Sequence, residues 1–165
     1  MNIALCGMMG CGKSTVAKIV SKKYGLPLID TDKLIVEKYG TIADIFACKG
    51  EEYFRKIEAE TIAEYCAKDS NAVIALGGGA VLREENVVNL KHNGKIVYMR
   101  TQESNLAKRL ENTADRPLLN GTMRDIIGEL LSKRTIVYES VADKIIDTDE
   151  LKPEQIADAI VETML

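Results

Sequence analysis

Short apolar runs alternate with longer segments of helical periodicity along this chain. Apolar residues recur at spacings of three and four in the longer segments, which predicts helices. The predicted helices cover 13–24, 33–39, 42–47, 51–67, 83–91, 103–111, 123–138 and a last segment that begins near 153. The apolar runs predict strands at 2–6, 28–29, 72–76, 95–99 and 144–146.

Strands separated by helices favour an α/β fold, with a five-stranded parallel sheet flanked by helices. Ligands of such sheets bind beyond the carboxyl ends of the strands. Residues 31–60 and 111–123 contain no predicted strand, so we expect them to project from the sheet as a substrate-binding segment and a lid. A length of 165 residues is typical of one domain, expected here to cover 1–165.

Composition narrows the classes of function. A formal net charge of −3 argues against a nucleic-acid partner. No apolar stretch approaches the roughly 20 residues of a membrane span, so we expect no membrane partner and a cytoplasmic protein. No long apolar stripe is left over, which favours a monomer. The cysteines and the single histidine lack zinc-site spacing, so the cysteines are interpreted as reduced structural thiols.

Residues 7–14 read GMMGCGKS and fit the phosphate-loop motif G-x-x-x-x-G-K-[ST] between a predicted strand and a predicted helix. Glycines let backbone N–H groups point at phosphate oxygens, and the helix N-terminus adds positive potential. Lys13 would neutralise the β and γ phosphates, and the Ser14 hydroxyl would bind Mg²⁺. The alternative is a glycine-rich turn with a solvated lysine. The predicted nucleotide-binding residues of this loop are Gly10, Cys11, Gly12, Lys13, Ser14 and Thr15.

Two aspartates follow the second predicted strand. In extended backbone, Asp30 and Asp32 would place both carboxylates on one side, facing the phosphate loop. Asp30 is predicted to hold Mg²⁺ with Ser14, and Asp32 to accept the proton of an attacking hydroxyl. The alternative is that Asp32 only caps the next helix.

Two arginines lie on partly apolar helix faces. Arg55 shares a face with Glu58, and Arg134 shares a stripe with Leu130 and Leu131. A semi-buried guanidinium needs a partner, and a bound carboxylate would serve both arginines. An internal ion pair between Arg55 and Glu58 is the alternative.

Two further elements complete the candidate site. Arg116 lies in a polar loop, where a closing lid would bring it onto the γ-phosphate and exclude water; an exposed loop arginine is otherwise only solvated. Gly77, Gly78 and Gly79 follow the third strand, where the lack of Cβ atoms would let a ligand touch backbone N–H groups. A tight turn is the plainer interpretation of that triplet.

In this order, the motifs resemble the shikimate kinase pattern within the nucleoside monophosphate kinase-like P-loop families. The matching elements are GMMGCGKST, DTD at 30–32, IADIF at 42–46, G-E-x-x-F-R-x-x-E at 50–58, LGGGAV at 76–81, DRPLL at 115–119 and the helix that carries Arg134 and Tyr138. GKST alone is widespread, whereas this ordered set is specific to very few families.

The resemblance implies ATP-dependent, Mg²⁺-assisted phosphorylation of shikimate at its 3-hydroxyl group, a step of chorismate and aromatic amino acid biosynthesis. It places Arg109 against adenine and Arg116 over the phosphates, with Lys13, Asp32 and Arg116 as the catalytic residues. Residues near 147–153 would close over the base, and Glu58 would support Arg55. Those implied to bind shikimate are Asp32, Phe46, Phe54, Arg55, Gly77, Gly78, Gly79 and Arg134.

Two rival interpretations remain open from the sequence. A gluconate-type kinase shares the phosphate loop and the size, and a nucleotide-dependent binding module would no longer transfer phosphate.

Two residues also depart from the family pattern: Cys11 inside the loop, where oxidation could block nucleotide binding, and Arg100 after the fourth strand.

Overall fold

The computed structural model describes residues 1–68, 70–111 and 123–164. Its strands are β1 (Asn2–Cys6), β2 (Leu28–Asp30), β3 (Val73–Ala75), β4 (Gly94–Arg100) and β5 (Lys144–Asp147). Its helices are α1 (Lys13–Tyr24), α2 (Thr31–Tyr39), α3 (Ile42–Lys49), α4 (Glu51–Tyr65), α5 (Glu84–His92), α6 (Glu103–Glu111), α7 (Met123–Val141) and α8 (Pro153–Met164), with a 3₁₀ turn at Ala80–Leu82.

Within these residues, the strands form one parallel sheet in the order β2-β3-β1-β4-β5. The predicted fold class is therefore confirmed. All residues of β1 and β3 are buried, because helices cover both faces of the central strands, and this explains their unbroken apolar runs. The segments that follow the neighbouring strands β1 and β3 meet at the carboxyl edge of the sheet.

Residues 31–60 carry a small hydrophobic cluster separate from the core around the sheet. It consists of Ile35, Ile45, Phe54 and Ile57, with Tyr39 and Ile42 packed against it. The three helices α2, α3 and α4 supply these side chains and so hold each other beside the sheet. The predicted substrate-binding segment thus has local packing of its own, while the assignment of 1–165 to one domain stays a prediction.

The predicted geometry of Asp30 and Asp32 is wrong. Helix α2 begins at Thr31, two residues before the predicted start, so the two aspartates do not lie in one extended segment. The Asp30 carboxylate instead accepts a hydrogen bond from the Lys33 N–H at 3.3 Å and caps α2. A capping role therefore belongs to Asp30, and Asp32 lies in the first helical turn, where its charge suits the helix N-terminus.

The remaining boundaries differ from the predictions by at most three residues, as fraying helix ends and unmarked turns allow. The 3₁₀ turn after the glycine triplet was not predicted. The predicted lid at 111–123 lies outside the described residues except for its first and last residue, and Arg116 is among the residues that are not described. None of the helices in the described ranges combines the length and the apolar composition of a membrane-spanning segment.

The buried side chain of Asn2 fixes the start of β1. Its amide donates hydrogen bonds to the carbonyl oxygens of Cys66 at 3.1 Å and Lys68 at 2.6 Å, and its oxygen accepts one from the Ala72 N–H at 3.0 Å. Asn2 therefore joins β1 to the segment that leads from α4 into β3, where backbone groups would otherwise be left without partners.

Asn2→Ala should lower the free energy of unfolding by about 3 kcal/mol, because it leaves several buried backbone groups unsatisfied. Urea unfolding monitored by circular dichroism measures this. The surface change Val88→Ala, at a side chain that is 62% exposed, should cost less than about 0.5 kcal/mol. Equal effects of the two changes would contradict this account of Asn2.

Candidate active site

A cavity of about 1210 Å³ opens at the carboxyl edge of the sheet. The phosphate loop and α1 form one side, and the helices of segment 31–60 form the opposite side. Helices α6 and α7 and the start of α8 complete the wall. Every predicted site residue in the described ranges lines this cavity: Gly10, Cys11, Gly12, Lys13, Ser14, Thr15, Asp30, Asp32, Phe46, Phe54, Arg55, Gly77, Gly78, Gly79, Arg109 and Arg134.

The phosphate loop has the backbone that its glycines permit. Gly10 and Gly12 have φ values of +80° and +96°, in the left-handed region that side chains with a Cβ rarely adopt. A Cβ at Gly10 would also lie 3.0 Å from Leu110, which packs over the loop from α6. Because α1 begins at Lys13, its first N–H groups face the loop and form an anion-binding site.

Lys13 is held across the loop. Its ammonium group donates hydrogen bonds to the carbonyl oxygens of Gly7 at 2.7 Å and Met8 at 2.9 Å, and the side chain is only 8% exposed. The alternative of a solvated lysine is therefore wrong. A phosphate in the loop would compete with these carbonyls for the ammonium group, as expected of a lysine that binds β and γ phosphates.

Cys6, Cys11 and Cys66 are buried free thiols, whereas Cys48 is exposed. Cys11 is 2% exposed, and its Sγ lies 3.7 Å from the Lys13 ammonium group. Burial raises the pKa of Cys6 and of Cys66 to about 12, so both stay protonated at neutral pH. This supports the interpretation of these two as structural thiols.

Ser14 and Asp30 supply hard oxygen ligands beside the loop, and both line the cavity. Among the described residues there is no cluster of three or more metal-ligating side chains. Mg²⁺ is commonly held by one or two protein oxygens together with substrate phosphates and water. A hydroxyl and a carboxylate at the phosphate loop fit that requirement, although the helix cap occupies one oxygen of Asp30.

Gly77 lets two carboxylates approach the end of β3. A Cβ at this position would lie 2.7 Å from Glu58 Oε1 and 2.9 Å from Asp32 Oδ1. The Gly77 N–H itself donates to the Thr31 hydroxyl at 3.2 Å. Asp32 is thus placed at the glycine segment by α2 and Glu58 by α4, despite the error in the predicted backbone.

Gly79 makes room for Arg55. A Cβ there would overlap the guanidinium group, within 2.6 Å of Cζ and Nη1. Arg55 donates to Glu58 Oε2 at 2.7 Å and lies 3.6 Å from Glu51 Oε1. The internal ion pair considered from the sequence therefore exists, yet the guanidinium group also lines the cavity.

Gly78 brings the second arginine to the same segment. A Cβ on Gly78 would lie 3.6 Å from Arg134 Nη1 and 3.5 Å from the Met9 backbone nitrogen. Arg134 on α7 and the phosphate loop therefore meet at the middle glycine. A different group of the cavity lies next to each glycine of the triplet. The triplet therefore does more than form a tight turn, which was the alternative.

The two phenylalanines differ in burial. Their ring centroids lie 4.9 Å apart, with Phe54 buried and Phe46 38% exposed at the cavity. The Arg55 guanidinium lies 5.3 Å from the Phe54 ring centroid, which adds a cation–π contact. Phe54 thus serves the local core and also supports Arg55, whereas Phe46 presents its ring to the cavity.

The opposite end of the cavity suits a nucleotide base. Arg109 Nη1 donates to the Gly10 carbonyl oxygen at 3.2 Å, so its guanidinium group lies at the phosphate loop. Apolar residues that the sequence analysis left uncommitted also line this end: Leu110, Leu151, Pro153 and Ile156. Of these four residues, only Pro153 carries a signal in the sequence, because proline is favoured at the first position of a helix.

Arg100 is remote from this cavity. It ends β4 and binds Asp147, its register partner on β5, through Nε at 2.5 Å and Nη2 at 2.9 Å. The arginine that departs from the family pattern at position 100 therefore forms an ion pair between the neighbouring strands β4 and β5.

The geometry agrees with the comparisons to known proteins. The family model described as shikimate kinase matches residues 9–165. A shikimate kinase from Thermodesulfovibrio yellowstonii is 44% identical over 162 residues, covering 97% of this chain and 92% of that protein. The chain belongs to the shikimate kinase family. Since members of this family are kinases, the assignment decides against a binding module and against a gluconate-type kinase.

Solved structures place the shikimate kinase fold over the whole described chain. A shikimate kinase from Acinetobacter baumannii in complex with shikimate superposes with a TM-score of 0.91 at 32% identity, covering 98% of this chain and 91% of that chain. A gluconokinase from Sinorhizobium meliloti 1021 has a TM-score of 0.65 at 18% identity, covering 98% and 89%, a likeness that shows the fold alone.

The glycine segment of the cavity is also the site of a buried carboxylate, Glu58, whose pKa is shifted. Glu58 is fully buried, and its Oε1 has no hydrogen-bond partner among the described residues. Burial raises its pKa above the ordinary 4.5, the Arg55 charge opposes that rise, and the nearby Asp32 adds to it. The ionised carboxylate therefore costs the folded state free energy.

A raised pKa in the folded state means that Glu58 stabilises the fold most below about pH 4.5, and that this contribution is lost as pH rises through the folded pKa. Relative to the wild type, Glu58→Gln should therefore gain stability as pH rises from about 4.5 through the folded pKa of Glu58. Urea unfolding at several pH values measures the difference.

Glu129→Gln is the control. Lys133 lowers the pKa of the exposed Glu129, so the wild type gains stability from this group only as pH rises toward about 4.5, and above that range the Glu129→Gln difference should be nearly flat. A Glu58→Gln difference that is as flat as the Glu129 control above about pH 4.5 would contradict the account of Glu58.

Proposed function

We propose that this chain transfers the γ-phosphoryl group of ATP to the 3-hydroxyl group of shikimate, with Asp32, Arg55 and Arg134 as the acceptor-binding residues. The observation that carries the proposal is their convergence. A carboxylate and two guanidinium groups from three helices approach the same three glycines, inside the cavity that also contains the phosphate loop. Family membership supplies the reaction and ATP as the co-substrate.

The nucleotide half of the proposed mechanism rests on the loop and Lys13. Backbone N–H groups at the start of α1 bind the phosphate oxygens, and the Lys13 ammonium group exchanges its loop carbonyls for the β and γ phosphates. Ser14 and Asp30 would hold Mg²⁺, which supplies positive charge to the transferring group. Arg109 and the apolar residues at the start of α8 cover the base.

The acceptor half recognises a ring that carries both a carboxylate and a hydroxyl group. Arg55 and Arg134 bind the carboxylate, and a guanidinium group can do so with two parallel hydrogen bonds. Phe46 and Phe54 contact the ring. The Asp32 carboxylate is then within hydrogen-bond distance of the hydroxyl group that attacks the γ-phosphorus. It accepts the proton of this hydroxyl group as the new O–P bond forms and ADP leaves.

Water must be kept from the γ-phosphate, since it would compete with shikimate as acceptor. The resemblance assigns this role to the lid at 111–123, with Arg116 neutralising the charge that develops on the transferring oxygens. The proposal also includes a monomer that acts in the cytoplasm, without a nucleic-acid or membrane partner, on the grounds of composition given above.

A coupled assay of ADP release with Mg·ATP tests the function. Shikimate should support turnover, whereas gluconate and nucleoside monophosphates should not. Lys13→Ala should lower kcat by at least about a hundredfold, because it removes positive charge from the transferring phosphoryl group. Turnover with gluconate or a nucleoside monophosphate but not with shikimate would overturn the assignment.

A conservative change tests the carboxylate-binding pair. Arg55→Lys keeps the charge but loses the planar fork, so the KM for shikimate should rise about tenfold or more while the KM for ATP changes less than about twofold. Arg83→Lys is the matched control, because Arg83 binds Glu52 and Glu85 on the surface. Equal increases in both Michaelis constants for Arg55→Lys would argue against the carboxylate site.

A further inference from the structure

Tyr138 lies behind the glycine segment, outside the roles assigned so far. It is on α7, four residues after Arg134 and therefore on the same face of the helix, and it is fully buried. Its hydroxyl group donates a hydrogen bond to the carbonyl oxygen of Gly78 and lies 3.7 Å from Met8 Sδ in the phosphate loop. One hydroxyl thus joins α7, the glycine segment and the phosphate loop.

The surroundings of Tyr138 hold this hydroxyl in place. Its ring packs on Tyr98 of β4, with centroids 5.0 Å apart, and Tyr98 is the register partner of Cys6 at the end of β1. Burial raises the pKa of Tyr138 well above its usual range, against the opposing charge of Arg134. The group is therefore a neutral hydrogen-bond donor at any pH at which the enzyme works.

The planarity of the peptide bond connects this hydrogen bond to the cavity. In a trans peptide, the carbonyl of Gly78 and the N–H of Gly79 point in opposite directions. Because the carbonyl points at Tyr138, the N–H of Gly79 points away from α7. Within the described residues that N–H has no hydrogen-bond partner, and Gly79 lines the cavity next to the Arg55 guanidinium.

We propose that Tyr138 is a positioning residue for the acceptor: its hydroxyl group fixes the Gly78–Gly79 peptide so that the Gly79 N–H is presented to the anionic end of the acceptor beside Arg55. This inference rests on the proposed function. Tyr138 touches neither substrate. It acts through the Gly78–Gly79 peptide group, which two glycines would otherwise leave free to rotate, and its hydroxyl group also contacts the Arg134 side chain.

Tyr138→Phe tests the inference because it removes only the hydroxyl group and keeps the ring. The KM for shikimate should rise about tenfold, since the variant loses one oriented donor to the acceptor, while the KM for ATP should change less than about twofold. Partial unfolding would lower the concentration of active enzyme and hence the apparent kcat, but it would leave the KM of the folded molecules unchanged. The measurement therefore remains decisive for a less stable variant.

Tyr98→Phe is the matched control. It removes a second buried hydroxyl from the same ring pair, one whose partner is Thr135 rather than the glycine segment. The KM for shikimate should stay within about twofold of the wild type. An unchanged KM in Tyr138→Phe, or an equal rise in both variants, would overturn the inference. A wild type that fails to phosphorylate shikimate would instead contradict the proposed function, so the two failures are distinguishable.

Discussion

The proposed acceptor end of the site depends on the absence of side chains at two of the three glycines that follow β3, Gly77 and Gly79. Two carboxylates approach Gly77, and the guanidinium group of Arg55 on α4 approaches Gly79. The guanidinium group of Arg134 and the phosphate loop approach Gly78. Two of these approaches are closer than a Cβ would allow, and the approach at Gly78 is an ordinary contact distance. The φ values of the triplet are not in the left-handed region, so Gly77 and Gly79 are needed for space rather than for backbone conformation.

That crowding sets the electrostatics of the site. Glu58 is buried without solvent, and Arg55 is its main compensating charge. Arg55 has further donors in its planar fork, so it can keep Glu58 while binding a carboxylate in the cavity. The buried carboxylate thus holds the Arg55 guanidinium group in position before a ligand binds. Binding of a carboxylate would then cost less side-chain conformational entropy.

The sequence predicted the fold and the composition of the site for physical reasons that are local. Apolar runs and glycine stops set the strands, and the phosphate loop is a contiguous motif. The backbone at Thr31 and Asp32 was predicted wrongly because a three-residue strand and a helix that begins at its end leave no periodic signal. The contacts of Tyr138 and the positions of Leu110 and Ile156 at the cavity could not be foreseen, because they arise only from long-range packing.

A crystal structure with ADP, Mg²⁺ and shikimate bound together tests the central claim most directly. The account predicts that the shikimate carboxylate contacts both Arg55 and Arg134, with Arg55 still paired to Glu58. It also predicts the 3-hydroxyl group at hydrogen-bond distance from Asp32, on the side that faces the β-phosphate in the loop. Shikimate bound away from the glycine triplet, or oriented with its carboxylate toward the nucleotide, would contradict the account.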